Sequence, residues 1–185
     1  MGRGVNVMGK TRRIVMDGML IALSVVLTRF FSIRLTIFGV EGVRIGIGML
    51  PLILAGFMFE PVDALFVGAI SDIVGYSISP MGPYIPYFTV TAALKGWIPS
   101  AVHKYVFKRS FKFWHIFVSN AVGVSVVSMV LIPYLLHTIF HMPYMFLLVP
   151  RAVAFPFYLF LYPFLISLII KKAWHRNASG FSVRA

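Results

Sequence analysis

Long apolar stretches, broken by short polar or proline- and glycine-bearing segments, run along this chain at about 14–31, 44–59, 62–78, 86–107, 113–136 and 145–170. A helix rises 1.5 Å per residue, so about 20 residues, within a range near 17–25, cross a hydrocarbon core. The second and third stretches are short, and tilted or irregular ends are expected there. Between them Phe59-Glu60-Pro61 holds a helix breaker and a charge. The pattern predicts an all-α membrane protein with six transmembrane helices.

Composition supports the bilayer over a soluble core. Of 185 residues, 59% are hydrophobic, and the mean hydropathy is +0.90. The length suits one domain, with no repeat or low-complexity linker. Absence of cysteine excludes a disulfide framework or a thiolate metal site. The first apolar run has basic flanks like a signal peptide, but no small-residue cleavage site follows it, so it reads as a membrane helix.

A net charge of +12 raises nucleic acid as a partner. Position argues against it. Arg3, Lys10, Arg12 and Arg13 form one cluster, Lys104, Lys108, Arg109 and Lys112 a second, and Lys171, Lys172, Arg176 and Arg184 a third. Each lies outside an apolar span, as cytoplasmic loops do under the positive-inside rule. Six spans put all three clusters on one side, with both termini cytoplasmic. The expected organisation is a cytoplasmic tail at 1–13, a six-helix transmembrane domain at 14–172, and a second tail at 173–185. Segment 32–43, with Gly39 and Gly42, is expected as an external loop, as is the proline-bearing loop 79–86.

The remaining cations are Arg29, Arg34, Arg44, Lys95 and Arg151. This topology places them in the outer half of the membrane or just beyond it. Lys95 falls roughly 13 Å and Arg151 roughly 9 Å below the outer surface at 1.5 Å per residue. Among the acids, Asp17, Glu60 and Asp63 fall toward the cytoplasmic side and Glu41 outside, leaving Asp72 in mid-span. A carboxylate there costs about 2.5–3.5 kcal/mol and usually faces a cavity or a partner. The pattern suits an outward-facing cup for a ligand with anionic carboxylates and a polar aromatic head. The plainer alternatives are snorkelling of Arg29, Arg34 and Arg44 to headgroups, and a structural ion pair of Asp72 with Lys95 or Arg151.

Small residues recur at helical spacing. Gly18 and Ala22 on the first span allow close helix approach, either to another membrane protein or within the chain. Ala64, Gly68, Ser71 and Gly75 on the third span suit internal packing. Tyr84, Tyr87, Phe88, Trp97 and Tyr158 offer faces for a flat ligand, although aromatics also gather at membrane interfaces. The run Gly4 to Thr11 matches a phosphate-binding loop in letters, but only three residues precede it and a membrane span follows, so it reads as basic flank. His137 and His141 lack a third metal ligand nearby. No nucleophile or acid–base pair suggests catalysis.

Three stretches carry a family likeness: Val43 to Gly56; Ala64 to Tyr76, with Gly68, Ser71-Asp72 and Gly75; and Pro80-Met81-Gly82-Pro83-Tyr84-Ile85-Pro86-Tyr87-Phe88-Thr89, followed by Ala92-Ala93-Leu94 and Gly96. The first two resemble helices 2 and 3 of the S components of energy-coupling factor (ECF) transporters, and the third is similar to folate-specific members. The resemblance spans about 12–172. It implies a multi-pass subunit of the prokaryotic plasma membrane that binds folate from outside with high affinity. Its implied partners are a transmembrane coupling subunit and two cytoplasmic ATPases, which supply the ATP hydrolysis. No catalysis or cofactor is implied for the subunit itself. The family's helix 1 contact with the coupling subunit, Ala-x-x-x-Ala, corresponds here to Gly18 and Ala22. With folate as ligand, Asp72 would meet the pterin, held ionised by Lys95 or Arg151, and Arg34 and Arg44 would meet the glutamate. Tyr84 and Phe88 complete the expected site. The rivals are an S component for another vitamin, such as riboflavin, and a membrane enzyme acting on anionic lipids.

Overall fold

A computed structural model describes the backbone of residues 10–37, 40–80, 84–141 and 143–180, and within these the side chains other than those of 33–45, 140, 146, 150 and 173–180. Arg3, most of the run from Gly4, the tip of the proline-bearing loop, Gly39 and Arg184 lie outside the described residues.

The chain begins with α1 (Lys10–Phe30), and a two-stranded antiparallel hairpin follows, β1 (Ser32–Ile37) and β2 (Val40–Gly46). Next come α2 (Leu50–Met58), α3 (Pro61–Ile78) and α4 (Pro86–Tyr105). A long helical rod is made of α5 (Phe113–Val124), a π-helical segment (Ser125–Leu131) and α6 (Ile132–Phe140), and α7 (Tyr144–Gly180) closes the bundle. Prolines open α3 and α4 within their first two positions, where a missing N–H costs nothing. At the start of α3 the Asp63 carboxylate accepts the Glu60 amide at 2.9 Å, as half of a capping box.

The helical body matches the expectation. The second span does not. Residues 32–46, expected mainly as an external loop, form the hairpin, and the helix expected at 44–59 shrinks to the 9 residues of α2. Nine residues extend about 13 Å, too little to cross about 30 Å of hydrocarbon. An irregular stretch, 47–49, joins the hairpin to α2 beside Ser24 of α1. Buried non-helical backbone needs internal partners. Ser24 Oγ donates to the Gly48 carbonyl at 3.0 Å, and Tyr162 Oη to that of Gly46 at 2.6 Å.

Among the described residues, 61–78, 113–139 and 147–172 are long and apolar enough to cross a membrane. Helices α1 and α4 are longer than the first of these, with 21 and 20 residues, but are less apolar. Val62, Phe66, Ile70 and Ile73 of α3 point outward, as lipid-facing side chains do.

The small stripe of α3 is internal. Ala64, Gly68, Ser71 and Gly75 are all buried. A Cβ on Gly68 would lie 2.6 Å from the Ala92 carbonyl oxygen, and one on Gly96 2.7 Å from that of Ala64. Thus α3 and α4 meet backbone to backbone at two levels. The largest core cluster includes Ile53 and Phe57 of α2, Ile116 of α5 and Tyr162 and Ile166 of α7.

Candidate functional site

At the hairpin end of the bundle a cavity of about 160 Å³ opens between α1, α3, α4, the π segment and α7, with Gly46 and Gly48 among its walls. Asp72, Lys95, Arg151 and Phe88, four of the residues singled out from the sequence, all line it. Their elements explain the meeting. Asp72 lies about 6 residues before the end of α3, and Phe88 and Lys95 lie two turns apart on α4. Arg151 lies two turns into α7 and is buried, its Nη1 donating to the Leu147 carbonyl at 2.9 Å.

Asp72 has a defined partner. Thr89 Oγ1 donates to Asp72 Oδ2 at 2.8 Å, and Thr89 also pairs with Tyr84 Oη at 2.8 Å. Tyr84 does not line the cavity. It is joined to it through Thr89, and its ring leans on Tyr76 at 5.1 Å. Tyr87 and Trp97 are exposed, whereas Tyr158 lines the cavity and stacks on Tyr162 at 5.5 Å. Asn120 of α5 fixes that part of α7, its Nδ2 donating to the Tyr158 carbonyl at 3.0 Å.

Arg29 is the cation whose position most changes the picture. Rather than reaching outward, its guanidinium lies over Gly75, where a Cβ would come within 2.9 Å of Nε. Nη1 donates to the carbonyl of Ser79, the C-cap of α3, at 2.8 Å, so the cation sits at the negative end of that helix. Arg29 also lines the cavity. Thr89 and Arg29 extend the set of residues around Asp72. The glycine four residues before Ser79 makes room for the flat guanidinium, a fit that shows only once α1 and α3 are packed together. Arg34 and Arg44 are described at the backbone alone, where the register sets them directly opposite each other in the hairpin.

The opposite end of the bundle is closed by matched charges. Arg13 Nε and Nη2 grip both Asp63 oxygens at 2.8 and 2.7 Å. Glu60 receives Lys104 and Arg109, the latter at 2.7 Å, and Arg109 also reaches the Phe59 carbonyl at 2.6 Å. Arg109 takes a left-handed backbone, φ 59°, and its amide donates to the His103 carbonyl at 3.1 Å. Burial works against charge on Glu60, but the Lys104 and Arg109 cations outweigh it and hold the carboxyl below its ordinary 4.5.

On α1, Gly18 and Ala22 are exposed, and a Cβ on Gly18 would meet nothing within 4 Å. Internal packing does not account for this pair. Exposed Ile14, Val15, Met19 and Leu23 surround it. Among the described residues no three acids or histidines gather as metal ligands.

Comparison with known proteins bears on this geometry. Residues 8–170 match the family described as ECF-type riboflavin transporter, S component. A stretch of 85 residues is 41% identical to the folate transporter FolT of Clostridium novyi (strain NT), covering 46% of each chain. The match thus spans less than half the length of that curated relative. Among solved structures, FolT bound with folic acid superposes with a TM-score of 0.71 at 25% identity, over 86% of this chain and 91% of the other. The S component of a bacterial ECF transporter superposes with a TM-score of 0.60 at 19% identity, over 94% and 99%, a likeness of fold alone.

Proposed function

This chain belongs to the family of ECF-type riboflavin transporter S components, and from that membership we propose that it is the folate-binding membrane subunit of an ECF-type vitamin importer. The observation that carries the ligand is the charge of the cavity, where Arg29, Lys95 and Arg151 stand around a single acid, Asp72. Folate combines a glutamate tail bearing two carboxylates with a flat pterin that offers N–H donors. In this reading Asp72, steadied by Thr89, accepts from the pterin, and Phe88 and Tyr158 flank the ring. Each charge-assisted hydrogen bond contributes about 1.5–3 kcal/mol. The glutamate meets Arg29 together with Arg34 and Arg44. Like charges directly opposite in an antiparallel pair repel, and an anionic tail would offset that repulsion.

The topology proposed with this function has six spans, counting the hairpin with α2 as the second, and both termini cytoplasmic. The domain is bounded at about 14 and 172, in the plasma membrane of a prokaryotic cell. Gly18 and Ala22 offer the close-packing face for a transmembrane coupling subunit that works with two ATPases, and cross-linking from position 18 to that subunit checks the contact. The chain contributes ligand binding and no chemistry of its own.

Calorimetric titration of the purified chain tests the ligand. Folate should bind tightly, and Asp72→Asn should weaken it about 30–100-fold while leaving p-aminobenzoyl-glutamate, which lacks the pterin, within about threefold of wild type. Wild-type folate affinity in Asp72→Asn would remove Asp72 from the site. Riboflavin is the second reading, favoured by the description of the matching family. Its ring system is neutral and leaves the cavity cations without a counter-charge. A yellow purified protein that ignores folate would decide for it.

A further inference from the structure

One wall of the cavity is built on an irregular helix. Along α5 the buried positions Ile116, Ser119, Asn120, Gly123 and Val124, then Val127, recur at three- and four-residue steps, the pattern of one α-helical face. An unbroken α-helix would carry that face on to Val130 and Tyr134. Both are instead exposed, at 60% and 59%, and the buried face resumes at Ile132 and Leu136. From Val127 to Ile132 is a five-residue step, and the Ile132 amide donates to the Val127 carbonyl, the interval of a π turn. Ser128 and Ile132, four residues apart, share one column, and both line the cavity.

Ser128 differs from its neighbours. Ser24 donates to Gly48, Ser71 to Val67, Thr91 to Phe88 and Tyr162 to Gly46, in each case to a backbone carbonyl. For Ser128 no hydrogen bond is found among the described residues, and its side chain is only partly buried. The hydroxyls of Ser24, Ser71, Thr91 and Tyr162 are thus engaged in holding the fold. Here the helix departs from regularity and leaves one facing the space where a ligand would lie. π turns inside α-helices recur at functional sites for this reason: one surplus residue re-aims a face without ending the helix.

We propose that Ser128 is a specificity-determining contact, its hydroxyl bonding a polar atom of the bound vitamin, and that the π turn aims it there. The inference rests on the reading of the chain as a vitamin-binding subunit. It adds a neutral hydrogen-bonding group to a site otherwise argued from charge, and so a means of telling apart ligands that carry the same carboxylates.

The test is titration of the detergent-solubilised full chain with folate, beside melting of the unliganded protein. Ser128→Ala should weaken binding about tenfold with an unchanged melting temperature. Ser128→Thr, which keeps the hydroxyl, should stay within about threefold, and Val130→Ala, on the outer side of the same turn, should bind as wild type. Wild-type affinity in Ser128→Ala would overturn the contact. So would equal losses in Ser128→Ala and Val130→Ala, since the segment would then only support the fold. A wild-type chain that takes up no folate defeats the folate reading separately. The same variants are then titrated with riboflavin, where an unaffected Ser128→Ala, or no binding by wild type, overturns the contact as well.

Discussion

The two ends of this bundle handle charge in opposite ways. At the end bearing the basic clusters, Arg13 faces Asp63, and Lys104 and Arg109 face Glu60, so cations meet acids at hydrogen-bonding distance. At the hairpin end, Arg29, Lys95 and Arg151 surround one carboxylate. The first arrangement suits structure, since Asp63 and Glu60 are each held by cations of the same chain. The second leaves an excess of positive charge in a concave space, which suits an anionic guest. Net charge alone does not separate the two ends, because both are basic.

Substitutions at the two ends should therefore move different observables. Among the cations, the largest effect is expected at Arg151. Arg151→Gln should weaken folate about 30-fold in calorimetric titration and change the melting temperature far less than it changes affinity. A matching loss in melting would place Arg151 with the structural charges and blur the distinction. Next comes Asp63→Asn, which removes the acid from a bidentate pair that is only partly open to solvent. It should lower stability by about 1–2 kcal/mol and leave folate affinity within threefold.

The smallest effect is a pH dependence at Glu60. Its carboxyl in the folded chain lies below the ordinary 4.5, so the unfolded state binds its proton more readily. The stabilisation is complete above the unfolded value and disappears as pH falls through the folded one. Comparing melting of wild type with Glu60→Gln should give a gap of under about 1 kcal/mol at neutral pH, closing below pH 4.5. A gap that persists at low pH would mean that geometry rather than charge holds this end.

Much of this was legible in the chain. Apolar runs located the helical body, and the isolated Asp72 pointed to the cavity because a lone acid in an apolar span demands a reason. The stripe Ala64, Gly68, Ser71 and Gly75 marked a packed face, which the backbone contacts with α4 explain. The hairpin and the half-length α2 were not legible. Val43 to Gly56 reads as one apolar run, and periodicity alone does not separate a strand feeding a buried helix from one continuous helix. Nothing local in the sequence announces that Tyr162, 116 positions away, anchors Gly46. The inward turn of Arg29 was hidden likewise, since it depends on Gly75 of another helix. The π turn left a trace, the five-residue step from Val127 to Ile132, visible only once burial was known.

Backbone meets backbone where Gly68 abuts Ala92 and Gly96 abuts Ala64. Two such interlocks stop α3 and α4 from sliding or rolling over one another, so the pair behaves as a fixed jamb. Asp72, Thr89 and Lys95 all stand on it and keep their spacing. Any widening needed to admit or release a guest must then come from the other sides, from the hairpin, which leans on α1 and α7, and from the rod through Ser128.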